Sequence, residues 1–108
     1  MSEKGMRWRL GSIFTVDELR RINVHEGDLP SVTVDVHGMG CLEAKLFLKN
    51  VIAILRGAFK LVVIHGFNNG TAIRDMVRRD ELSSKVTAVH SWYWNDGVTE
   101  MDVQALCA

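Results

Sequence analysis

The chain has 108 residues, the usual size for one hydrophobic core. With 47% apolar and 24% charged residues it matches an average globular domain, which excludes a disordered or fibrous chain. Thirteen basic residues balance thirteen acidic ones, so any grip on nucleic acid must come from a local patch and not from overall charge. The longest apolar runs, Val51 to Leu55 and Leu61 to Ile64, fall well short of the ~20 residues that span a bilayer, so no membrane contact is expected. Residues 1–9 carry Glu3, Lys4, Arg7 and Arg9 with no apolar stretch behind them, which reads as a cytoplasmic protein without a secretory leader. Cys41 and Cys107 belong to no C-x-x-C pair; both are read as free thiols, and no metal or cofactor is expected.

Taken in chain order, residues 1–30 read as an N-terminal extension. Within it Thr15-Val16-Asp17-Glu18-Leu19-Arg20-Arg21-Ile22 predicts a short amphipathic helix capped by Thr15, followed by polar residues 23–28. Residues 31–108 read as the main domain. Its first strand is Ser31-Val32-Thr33-Val34-Asp35-Val36-His37, where apolar residues alternate with polar ones up to Gly38. Between Cys41 and Arg56, Ala44, Leu48, Val51 and Leu55 recur at helical spacing, and Gly57 ends that helix. Lys60-Leu61-Val62-Val63-Ile64-His65 is the continuous β-branched run of a buried parallel strand. A glycine- and asparagine-containing loop leads to a second helix, its stripe formed by Ala72, Ile73, Met76 and Val77, with Asn69 or Thr71 as cap. Val86 to Ser91 predicts a third strand, Asp96-Gly97 a turn, and residues 101–106 a last short strand. The expected fold is thus an α/β two-layer sandwich of order βαβαββ, with a mostly parallel four-stranded sheet and two main helices.

In such sheets ligands gather beyond the carboxyl ends of parallel strands, here residues 35–38 and 65–70. Alternation puts Val32, Val34 and Val36 on one face of the first strand and Thr33, Asp35 and His37 on the other. A carboxylate beside an imidazole fixes its tautomer and suits general acid or base work; the bland alternative is that Asp35 bonds a loop amide and His37 merely ends a strand. In His65-Gly66-Phe67-Asn68-Asn69-Gly70-Thr71, residues tolerant of positive φ can bring backbone amides to a phosphate, and Arg74 and Arg78, four apart, can reach flanking phosphates. The same segment also suits a tight turn with a solvated arginine face. It has neither the lysine of a P-loop nor the G-x-G-x-x-G of dinucleotide folds. Trp92, Tyr93 and Trp94 can stack on bases or cover a sheet edge, and His25 and His90 have no assigned role.

Val34-Asp35-Val36-His37-Gly38-Met39 followed by a helix, then Val63-Ile64-His65-Gly66, a glycine-containing loop and Ile73-Arg74, resembles the small MutS-related (Smr) domain. The likeness lies in that family's L-D-x-H-G and H-G-x-G-x-G-x-L-R motifs, in the same order, and extends over residues 32–106, about 70% of the chain. Val34 replaces the leucine, the second loop is one residue longer, Asn68 stands at a usual glycine, and Phe67 at a usual lysine or arginine. The glycine-rich segment before the last strand is reduced to Asn95-Asp96-Gly97-Val98-Thr99. The resemblance implies a sandwich like the C-terminal domain of bacterial translation initiation factor three, binding of DNA or RNA, structured or single-stranded, and in some members endonucleolytic nicking. With the residue reading above, nucleic-acid contacts are expected at Gly38, Gly66, Phe67, Asn68, Asn69, Gly70, Thr71, Arg74 and Arg78, with the loop holding a backbone phosphate, the arginines steering the strand and Phe67, which lacks the usual charge, able to stack on a base. The resemblance implies that nicking depends on the motif aspartate and histidine, here Asp35 and His37; our own candidate for a second proton-transfer group is His65. The other readings are a non-catalytic adaptor for nucleic acid or protein, as a monomer or homodimer, and an enzyme for a small phosphorylated metabolite.

Overall fold

The computed structural model describes residues 3–25, 27–66 and 71–104. Chain order is α1 (Glu3–Gly11), α2 (Val16–Leu19), β1 (Ile22–His25), β2 (Ser31–Asp35), α3 (Cys41–Ile54), β3 (Phe59–Ile64), α4 (Ala72–Arg79), β4 (Val86–Trp92) and β5 (Asn95–Val103). The α/β layering and the order βαβαββ from Ser31 onward are as expected. No helix among the described residues is long and apolar enough to cross a membrane.

The sheet differs from the expected four-stranded, mostly parallel one. It has five strands in the order β1-β2-β3-β5-β4, and among the described strands only β2 and β3 pair in parallel. Two causes account for this. The crossovers through α3 and α4 do point β2, β3 and β4 the same way, as the handedness rule requires. However, β5 turns back from β4 and inserts between it and β3, so both of its ladders are antiparallel. The fifth strand is Ile22-Asn23-Val24-His25, where the sequence predicts the end of a helix at Ile22 and a polar connection over residues 23–25; only its two buried residues, Ile22 and Val24, mark the period of two. Asp96-Gly97 is not the chain reversal either. The reversal is at Tyr93-Trp94, between the paired Trp92 and Asn95, and Asp96 and Gly97 lie within β5 where its register with β4 shifts.

One face of the sheet carries the core. Val32, Val34 and Val36, then Phe59, Leu61 and Val63, then Met101 and Val103 meet Ala44, Phe47, Leu48, Val51 and Ile52 of α3 and Met76 and Val77 of α4. Residues before Ser31 share this core: Met6 and Leu10 of α1, Phe14, Ile22 and Val24 are buried in it. Phe14 meets Phe47 edge to face at 5.1 Å, and the Arg7 guanidinium donates to the Val24 carbonyl at 3.1 Å, tying α1 to β1. A capping box between Thr15 and Glu18 opens α2 as the sequence predicts, although the helix spans four residues and gives way to β1.

Among the described residues no helix covers the other face. It presents Thr33 and Asp35 of β2, and the cross-strand neighbours Lys60, Val62 and Ile64 of β3 with Asp102, Glu100 and Val98 of β5. Lys60 pairs with Glu100 at 3.6 Å and His90 with Asp102 at 3.1 Å across this surface.

Candidate functional site at the ends of the parallel strands

β2 and β3 run side by side in register, with Asp35 opposite Ile64, so the segments after them leave the sheet at the same end. The Val36 amide donates to the Ile64 carbonyl at 2.9 Å, carrying the pairing one residue further. Gly66 then turns at φ +70°, and a Cβ placed on it would lie 3.7 Å from His37 Cβ. The two sequence motifs therefore lie side by side. Gly38 turns at φ +81°, a conformation that explains the glycine after His37.

Asp35 is aimed at His37 from both directions. Its Oδ1 accepts the His37 backbone N–H at 3.1 Å and the ring Nδ1–H in a short contact. That bond fixes the tautomer with the proton on Nδ1, so the lone pair is on Nε2. The His37 side chain is 66% exposed, and Nε2 has no hydrogen bond among the described residues. The couple is held from below by Arg21, whose guanidinium donates to the carbonyls of Asp35 and His37 at 3.1 Å each. The Asp35 amide in turn donates to the Arg21 carbonyl at 2.8 Å. Sequence reasoning missed Arg21, because beside Arg20 at the end of an amphipathic helix it reads as a solvated cation.

His65 differs from His37. It is 5% exposed, and both ring nitrogens are engaged. Nδ1–H donates to the Gly66 carbonyl at 2.9 Å, which leaves Nε2 to accept the Thr99 hydroxyl at 2.9 Å. The Thr99 oxygen then accepts from Arg78 Nε at 3.0 Å. Burial is the main cause that lowers the His65 pKa, with Arg78 and Arg74 adding to it against the opposing Gly66 hydrogen bond and Asp96 charge. A neutral imidazole braced inside the fold is what these bonds describe.

Arg74 and Arg78 share one face of α4, and both close on Asp96. Arg78 Nη1 reaches Oδ1 at 3.1 Å and Arg74 Nη1 makes a short contact with Oδ2. Bonding first to Arg74 and then to Arg78 pulls the Asp96 carboxyl below its ordinary pKa. These arginines are thus near the strand ends but carry a carboxylate between them. Thr99 and Asp96 were not read as site residues; their signal lies in the β3–β5 pairing, which a single sequence does not reveal.

In the loop, the Gly66 amide donates to the Gly97 carbonyl at 3.0 Å and is already engaged. The exposed Thr71 precedes α4, and its hydroxyl donates to Asp75 at 3.1 Å without capping the helix. Phe67, Asn68, Asn69 and Gly70 lie outside the described residues. Among the described residues no group of three or more His, Cys, Asp or Glu side chains is placed to hold a metal ion. Neither a family model nor a curated protein matches the chain.

Proposed function

We propose that this chain is a cytoplasmic nucleic-acid-binding domain of the Smr type, with the fold of the translation initiation factor three C-terminal domain elaborated by β1. On this reading Asp35 and His37 act on a phosphodiester. The closeness of Gly66 to His37 carries the reading, because it sets an oriented, exposed imidazole beside the start of the loop expected to hold the phosphate. His37 Nε2 is the base. On RNA it takes the proton of a 2′-hydroxyl, whose oxygen attacks the adjacent phosphorus, expels the 5′-oxygen and leaves a cyclic phosphate. On DNA it takes a proton from water, whose oxygen attacks phosphorus and expels one ester oxygen; on either substrate the leaving oxygen is protonated by the His37 imidazolium or by solvent. Asp35 holds the ring in the required tautomer.

The experiment is cleavage with end-group analysis on labelled DNA and RNA, run beside salt-dependent binding. His37→Ala should abolish cleavage and leave binding within severalfold. Equal cleavage by parent and His37→Ala would remove the couple from the chemistry. A second reading, a binding module without catalysis, is favoured by the engagement of both His65 nitrogens, which leaves His37 without a second proton-transfer partner there. Binding by the parent with no cleavage above background, unchanged in Asp35→Ala, would select it.

A further inference from the structure

We infer that the uncovered face of the sheet holds a subsite for an unpaired nucleobase, so that the nucleic acid taken by this domain is single-stranded where it crosses the sheet. The inference rests on the nucleic-acid-binding reading above and adds the substrate class.

The carrying observation is a depression of about 490 Å³, within the size range of small-molecule sites. Val62, Ile64, Val98 and Trp92 give its lining apolar and aromatic surface, Thr33 and Asn95 give it polar groups, and the Lys60–Glu100 ion pair lies along it. A planar base with polar edges needs that combination: a flat apolar surface, an aromatic face to stack on, and a few donors and acceptors. Its position fits as well. Asp35, Ile64 and Val98 are successive cross-strand neighbours, so the apolar lining begins one strand from Asp35 and ends two away, roughly 5 to 10 Å. A strand with one base in the depression would carry its backbone past His37.

Trp92 is backed by two exposed aromatics of the adjoining turn. Trp92 stacks on Trp94 with ring centroids 5.1 Å apart, and Tyr93 meets Trp94 edge to face at 4.9 Å. Tyr93 is 96% exposed and Trp94 66%. Two-residue hairpin turns ordinarily take glycine, asparagine or aspartate, and neither aromatic serves the core. Two residues beyond Trp94, Asp96 is held by Arg74 and Arg78.

Oligothymidylate and oligouridylate of about 12 nucleotides, near the footprint of small single-strand binders, and a matched duplex are the probes. Binding is measured on the parent, Trp92→Ala and Trp8→Ala, the last removing an exposed tryptophan on α1. The parent should prefer the single strands, Trp92→Ala should weaken that binding about five- to a hundredfold, and Trp8→Ala should match the parent. Comparison of the two oligonucleotides tells DNA from RNA. The double variant Trp8→Phe, Trp94→Phe keeps Trp92 as the remaining tryptophan, and its fluorescence should be quenched by the oligonucleotides and not by the duplex. This readout decides even if Trp92→Ala misfolds. Single-strand binding with no change at Trp92 overturns the subsite and leaves the binding function standing. Preference for duplex does the same, as does a Trp92→Ala change that only dissolves a dimer of the chain. Absence of any binding by the parent overturns both.

Discussion

At the scale of residues, Asp96 and His65 decide how the site behaves. A carboxylate gripped by two guanidinium groups occupies the geometry in which arginines hold a phosphate, so Asp96 competes with any backbone phosphate for Arg74 and Arg78. Asp96→Asn should therefore tighten nucleic-acid binding at low salt. It should also steepen the slope of log affinity against log salt by about 1 to 2, one unit for each arginine released to a phosphate. An unchanged slope would mean that the two arginines make no phosphate contact. His65 makes a separate prediction about pH. Its folded pKa is lowered below the ordinary 6.5, so between the folded value and 6.5 the unfolded chain binds more protons. Stability then rises with pH through that window and falls as pH drops below about 6.5. Asp96, whose carboxyl is pulled below 3.8, contributes stability that is lost only at more acid pH. Urea midpoints at pH 7 and pH 5 should show a larger acid loss in the parent than in His65→Gln, which retains a donor and an acceptor without titrating. Equal losses would relieve His65 of that role. The distinction between the two histidines was illegible in sequence, where each precedes a glycine at the end of a strand. It arises from Thr99 and Arg78, brought against His65 by β5 and α4.

Among the elements, β2, α3 and β3 were legible because each states its period over many residues: Val32, Val34 and Val36 alternate, and Ala44, Leu48, Val51 and Leu55 recur at three and four. The candidate couple was legible for the same reason, since alternation alone puts Asp35 on the uncovered face. α1 and β1 were not. In α1 only Met6 and Leu10 reach the core among the residues described, a stripe of two points, and β1 offers only Ile22 and Val24. Nor does local sequence announce how α3 ends. Lys85, on the connection into β4, donates through Nζ to the carbonyls of Ile52 and Leu55 at 2.8 Å each, while burial lowers its pKa. It satisfies carbonyls that the last turn leaves open and puts a positive group at the negative end of the helix. Lys85→Met keeps the aliphatic stem and removes the donors. It should cost about 1 to 3 kcal/mol in urea unfolding, with α3 amides near residue 52 exchanging faster. Exchange that accelerates equally everywhere would show that the bonds stabilise the whole fold and not the helix end.

On the scale of the whole molecule, one face of the sheet is committed to the core, the other carries no helix among the described residues, and β1 is what completes the first. Its antiparallel pairing with β2 shields the strand that carries Asp35, and Arg21 just before β1 clamps the carbonyls of Asp35 and His37 themselves. Residues 3–25 therefore contribute to both stability and geometry. Removing residues 1–29 would strip Met6, Leu10, Phe14, Ile22 and Val24 from the core. At roughly 1.5 to 3 kcal/mol for each buried side chain the loss is on the order of 10 kcal/mol, comparable to the whole margin of a small domain. It would also leave β2 as an open edge with unpaired amides. The shortened chain should lose its cooperative thermal transition and associate. Arg21→Ala in the full chain offers the complementary measurement, since Ile22 and Val24 stay in place. It should retain a cooperative transition while the His37 ring loses its fixed orientation, read as averaged ring shifts by NMR. A shortened chain that unfolds cooperatively near the parent's temperature would make residues 1–29 a true appendage and reduce Arg21 to a surface contact.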